Sequence, residues 1–159
     1  RSGDEKRLIM SVTDFESSWA KAKHWAFVAL PTDQLPATAN ATEFVQAAIT
    51  LERVAPIQAV QAYQTALRAW PGQLEARLAL GNSYYKQHDL HTAQTQYEQA
   101  TRDHPDAGDA WNNLAQVLSD TAQWEAARDA IAKAVTLGGA RLERYKATQI
   151  AIDSRRRDP

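Results

Sequence analysis

The sequence predicts an all-α fold: antiparallel helical hairpins stacked as a short solenoid of about three repeats with a C-terminal capping helix, preceded by a small strand-helix-strand segment. Three observations predict it. The chain resembles itself when shifted by about 34 residues. Each period carries the same ordered set of large, small and aromatic residues. A last amphipathic stretch then follows the final period with no further repeat behind it.

The shift places Leu80 on Leu114, Gly81 on Ala115, Tyr84 on Leu118, Ala93 on Ala127, Tyr97 on Ile131, Ala100 on Ala134 and Pro105 on Gly139. One period earlier, Ala59, Tyr63, Ala66 and Pro71 fall on Ala93, Tyr97, Ala100 and Pro105. Packing explains the pattern. Small residues such as Gly81 and Ala93 let two helices approach, and aromatics such as Tyr84 and Tyr97 fill the space between hairpins. A single hairpin cannot bury its apolar face alone, so the stack is the stable unit. Read this way, the order large, small, aromatic, then Ala, aromatic, Ala, Pro resembles the tetratricopeptide repeat.

The first repeat, about 41–73, is degenerate in its first helix: Phe44, Ala47-Ala48 and Leu51 fit the pattern only if the inter-helix turn is one residue short. Pro56 opens its second helix, where the missing N–H costs nothing. The second repeat, about 74–107, departs from the family at Arg77, which stands where an aromatic is usual. The third, about 108–141, has Trp111 there and ends in Gly138-Gly139 in place of proline. Asp89 and Asp106 sit where N-caps are expected. The segment 140–154 places Leu142, Tyr145, Gln149 and Ile152 on one face and is predicted to cap the array. The repeat domain is thus expected over 40–156.

Residues 1–39 follow another pattern. Residues 7–12 read as a strand, a helix capped by Thr13 or Asp14 presents Phe15, Trp19 and Ala22, and 25–30 reads as a second strand ended by Pro31, with 31–39 a linker. Two strands and a helix are too little for an independent core, so this is expected to be the remnant of an upstream domain. Strand pairing, or a dimer formed through residues 6–30, would protect its open edges. Asp14-Phe15, Trp19, Trp25-Ala-Phe-Val, Leu30-Pro31 and Leu35-Pro36 resemble the tail of a papain-like domain in bacterial proteins that join a double-glycine-leader-type cysteine peptidase to tetratricopeptide repeats. That resemblance implies a chain forming the accessory, non-catalytic end of a peptidase whose catalytic cysteine and histidine lie upstream. It also implies a periplasmic or envelope location. A start at Arg1 without methionine is expected of a processed product or an excised fragment.

Composition excludes several functions. With 18 basic and 19 acidic residues, the chain has no electrostatic footprint for nucleic acid. The Arg155-Arg156-Arg157 run is read as a solvated, frayed tail. Zero cysteines rule out disulfides, thiolate metal sites and a cysteine nucleophile within these residues. No stretch approaches the roughly 20 apolar residues of a membrane span. There is neither a G-x-S-x-G elbow nor a Gly-rich phosphate loop, so no catalytic residue is assigned and the chain itself is not expected to be an enzyme. His88, Asp89 and His91 cluster in one turn, but zinc requires three or four converging ligands. They are read as a polar turn in which Asp89 caps and His88 replaces a turn glycine; neither metal nor cofactor is predicted.

The remaining candidate is the concave face formed by the first helix of each hairpin, expected to bind a partner protein or an extended peptide. The repeat resemblance places Val45, Ile49 and Arg53 there from the first repeat, and Leu78, Asn82, Tyr85 and Lys86 from the second. The third repeat supplies Asp109, Asn112, Asn113, Gln116 and Asp120. Asparagine amides both donate and accept, which suits a peptide backbone of any sequence. The alternative is that Asn112 and Asn113 merely solvate this face and Tyr85 packs on the next hairpin. Repeats of this family that clamp a C-terminal carboxylate carry lysine where Leu78 stands and a base where Asp109 stands, so that ligand is not expected.

Overall fold

The computed structural model describes residues 32–35 and 39–155. Among them are seven helices and no strand: α1 Ala41–Leu51, α2 Pro56–Ala69, α3 Leu74–Lys86, α4 Leu90–Asp103, α5 Gly108–Asp120, α6 Trp124–Leu137 and α7 Leu142–Arg155. They form three consecutive hairpins, α1–α2, α3–α4 and α5–α6, with α7 packed on α5 and α6. The strands expected over 7–12 and 25–30, and the helix between them, lie outside the described residues.

Helix starts follow the expected register. They are 15 residues apart in the first hairpin (41 to 56) and 16 in the second and third (74 to 90, 108 to 124). The first hairpin is therefore one residue short, but not in its turn as expected: α1 has 11 residues against 13 in α3 and α5, and the turn after it, 52–55, is one residue longer than 87–89 and 121–123. Asn40 caps α1, its Oδ1 accepting the Thr42 N–H at 2.9 Å, and Pro56 occupies the first turn of α2. Asp89 caps α4 by accepting the Thr92 N–H at 3.1 Å. Asp106 does not cap α5: it lies exposed in the preceding turn, and Ala107 takes the cap position with no side-chain acceptor. The α5 helix begins at Gly108, one 34-residue period after the start of α3 at Leu74, with the Tyr145 ring close to its first residue. A Cβ at Gly108 would lie 2.9 Å from that ring.

Close helix approach is achieved as the pattern requires. A Cβ at Gly81 would fall 2.5 Å from Cε1 of Tyr97, so the α3–α4 crossing depends on glycine. Ala59, Ala62, Ala66, Ala93, Ala100, Ala127 and Ala134 are fully buried on the second helices. The core divides into two clusters, one around Phe44, Tyr63 and Leu80, the other around Tyr97, Leu114, Ile131 and Tyr145. Tyr84 packs against both. Residues 32–35 do not behave as a free linker: Leu35 packs on the first cluster, and the Thr32 hydroxyl donates to Gln61 Oε1 at 2.7 Å.

Arg77 replaces the aromatic of the repeat without losing its polar contact. Trp111 Nε1 donates to the Pro105 carbonyl at 2.9 Å, and Arg77 Nη2 donates to the Pro71 carbonyl at 2.6 Å. The two bonds stand one period apart and tie the start of a hairpin to the loop before it. Arg77 also meets Asp103 at 3.6 Å. On the outer face, Lys133 lies over the Trp111 ring, 4.2 Å from its centroid.

Candidate functional site

Helices α1, α3, α5 and α7 line a concave channel made of two adjoining cavities. The larger, about 530 Å³, runs from Gln46, Ile49 and Glu52 on α1 and its following turn, past Leu78 on α3 and Asp109 on α5, to Arg141 and Tyr145 at the start of α7. The smaller, about 370 Å³, lies between α3, α5 and α7, with Tyr97 of α4 at its base. Asn82, Asn113 and Arg144 line both and mark the junction.

Three of the sequence-predicted residues do not face the channel as expected. Val45 is fully buried in the first core cluster, because an apolar side chain at this position of the terminal hairpin is drawn inward with Phe44 and Ala48. Arg53 lies beyond the end of α1, exposed in the turn, and lines neither cavity. Glu52 takes its place at the rim and pairs with Lys86 at 2.9 Å. Asp120, at the end of α5, also lies outside both cavities and serves as an anchor. It accepts hydrogen bonds from the Tyr85 hydroxyl and from Arg155 of α7, with Gln116 Nε2 at 3.4 Å. Arg155 is therefore held in the last turn of α7 and does not belong to a frayed tail; Arg156 and Arg157 lie outside the described residues.

Ile49, Leu78, Asn82, Tyr85, Lys86, Asn112, Asn113 and Gln116 all line the channel. Tyr85 nonetheless reaches across to the next hairpin, as the alternative reading required, so it forms channel wall and inter-hairpin contact together. Asn112 is 3% exposed and does not solvate the face. Its amide begins a polarised relay: Asn112 Nδ2 donates to Asn113 Oδ1 at 3.3 Å, and Asn113 Nδ2 donates to Asn82 Oδ1 at 3.2 Å. Asn82 Oδ1 also accepts the Tyr97 hydroxyl at 2.7 Å. The carbonyl of Asn112 at the head of the relay is buried without a donor.

Electrostatics reinforce this geometry. Burial pushes the Tyr97 phenol above its ordinary value, which keeps it a neutral donor to Asn82. Burial also raises Tyr85, and its bond to the Asp120 carboxylate raises it further. Burial works against ionisation of Asp120, but the donors Tyr85, Arg155 and Gln116 outweigh it and hold the carboxyl below its ordinary range. At the other end of α7, burial raises Tyr145, and so does its bond to Asp109 at 3.0 Å; Asp109 is also paired with Arg141 at 2.7 Å.

Sequence reasoning missed the contributions of α7, namely Arg141, Arg144, Tyr145 and Thr148, and those of Gln46 and Glu75. The signal available for part of this was spacing. Glu52 and Lys86 are 34 residues apart, and Tyr85, Asp120 and Arg155 follow one another at intervals of 35. Complementary polar groups separated by about one period meet across adjacent hairpins.

Repeated hairpins of this geometry, with a lined inner channel and a closing helix, define a helical-repeat protein. The tetratricopeptide repeat family model matches residues 56–87 and 78–141, more than half of the chain, and the chain belongs to that family. Among solved structures, the crystal structure of MamA is similar in fold, with a TM-score of 0.58 at 12% identity over 93% of this chain and 90% of that one. No curated protein matches. Among the described residues no helix is long and apolar enough to cross a membrane.

Proposed function

We propose that this chain is a non-catalytic interaction scaffold that holds an extended peptide, or an extended segment of a partner protein, in the channel between α1, α3, α5 and α7. One observation carries the reading: the two cavities adjoin along the array, with Asn82, Asn113 and Arg144 lining both. The channel walls alternate apolar grip (Ile49, Leu78) with amides suited to a peptide backbone. Ile49, 38% exposed, adds apolar surface to the wall.

The test is selection of binders from a displayed library of random dodecapeptides against the whole chain. Selected peptides should lose at least tenfold in affinity for a Leu78→Glu variant of unchanged helicity. Binding to a variant of the outer face, Lys133→Glu, should be unchanged. Peptides that bind the Leu78→Glu variant as well as the parent would remove the channel as the site. The finer reading, an accessory arm of a cysteine peptidase, rests on residues 6–39 and is decided by the upstream reading frame. A frame lacking a Cys…His peptidase pattern would sink it.

A further inference from the structure

The channel's charges are not evenly committed. Six charged side chains line the two cavities. Lys86 is paired with Glu52 at 2.9 Å and Arg141 with Asp109 at 2.7 Å. Glu75 meets the amide of Gln46 at 3.1 Å. That leaves Arg144, whose guanidinium makes no ion pair and no hydrogen bond among the described residues although it stands at the junction of both cavities. Beside it, Asn82 Oδ1 is engaged twice, by Asn113 and by Tyr97. This fixes the orientation of the amide and leaves Asn82 Nδ2 as an uncommitted donor. Asn112, 3% exposed, lines the same cavity, but its unpartnered Oδ1 is sealed from solvent and from any ligand.

Two free donors, one of them cationic, call for an anionic ligand. From this we infer that the α3–α5–α7 cavity is a receptor for an aspartate or glutamate side chain in the middle of an extended peptide. Arg144 pairs with the carboxylate, and Asn82 Nδ2 donates to it. This rests on the peptide-channel reading and names its specificity. The residue recognised is internal because Arg144 lines both cavities, which leaves lined space for peptide in each of them. A more highly charged anion such as a phosphate is disfavoured, because among the described residues the one unpaired guanidinium of the channel shares it with Glu75, which has no cation partner. The negative charge of Asp109, prohibitive in the sequence reading, is neutralised by Arg141, and the Tyr145 hydroxyl donates to the same carboxylate.

The probe is a pair of C-terminally amidated dodecapeptide libraries, one with glutamate and one with glutamine at the same central position, flanked by random uncharged residues. Binding is measured against the whole chain. The glutamate library should be retained about tenfold better, the preference should vanish in Arg144→Gln, and Arg144→Glu should favour a matching lysine library. Arg144 is exposed and unpaired, so these variants are expected to keep the parent's helicity. Equal retention of the two libraries, or a glutamate preference that survives Arg144→Gln, would overturn the inference. So would a preference that appears only when the peptides end in a free carboxylate. If both libraries bind in a Leu78-dependent manner without a glutamate preference, this inference alone fails. If neither binds, the channel reading fails with it.

Discussion

His88 and Ala122 are one period apart and share a backbone state, with φ of 61° and 59°. Each ends the tight turn inside a hairpin, after α3 and after α5, where a left-handed residue lets the chain reverse into the next helix. A residue with a Cβ is strained there by roughly 1–2 kcal/mol, whereas glycine is not. Glycine also adds entropy to the unfolded chain, which gives back about 0.4–1 kcal/mol. Ala122→Gly should therefore stabilise the protein by about 0.5–1 kcal/mol, read as a higher urea midpoint at constant slope. His88→Gly should act in the same direction. A lower midpoint for Ala122→Gly would mean that the turn is not strained as its φ implies. His88 was legible in the sequence as a stand-in for turn glycine, because it falls directly before the capping Asp89. Ala122 was not, because alanine carries no turn signal of its own. The role of Arg77 was hidden for a similar reason: the sequence shows a missing aromatic, while the bond to the Pro71 carbonyl depends on where the preceding loop lies.

At the scale of one element, α7 is held at both ends. Near its start Arg141 and Tyr145 grip Asp109, and in its last turn Arg155 grips Asp120. The carboxyl of Asp120 has a native pKa below its ordinary 3.8. A depressed acid stabilises the fold fully above the unfolded value and loses that contribution as pH falls through the native one. The C-terminal turn of α7 should therefore remain docked through the neutral range and detach only below about pH 4. The Tyr85 ring resonances should report this, since its hydroxyl shares the carboxylate and its own raised pKa keeps it protonated well beyond neutrality. In Asp120→Asn that titration step should disappear. A step centred above 3.8 would contradict the geometry. The existence of α7 was readable from the amphipathic spacing of Tyr145 and Ile152, which are both buried. Its electrostatic ties were not, because local pattern reasoning does not pair groups 32 to 36 residues apart.

At the scale of the whole molecule, the array is two apolar clusters in series, with Tyr84 of α3 packed against both. Its hydroxyl also accepts the Gln64 Nε2 amide at 3.0 Å, linking α2 to α3. Repeat arrays gain cooperativity from such interfaces between neighbours, and weakening one interface lets its two sides unfold separately. The first cluster is the weaker partner on composition: beside Phe44, Tyr63 and a few branched residues it is built largely of alanines. Removing the Tyr84 ring while keeping both clusters should thus do more than lower stability. Tyr84→Ala should cost roughly 3 kcal/mol, by analogy with truncation of a large aromatic that is only partly buried. Its urea transition should divide in two, with α1–α2 melting before α4–α7. Tyr84→Phe should keep a single transition, because the ring bridges the clusters and the Gln64 bond is secondary. The measurement is far-UV circular dichroism against urea, paired with fluorescence of Trp70, which packs on the first cluster, and Trp111, which packs on the second. Coincident transitions with unchanged slope in Tyr84→Ala would mean that the clusters are coupled through the paired helices α2 and α3 without the ring. A divided transition would make Tyr84 the element that turns a row of hairpins into one folding unit.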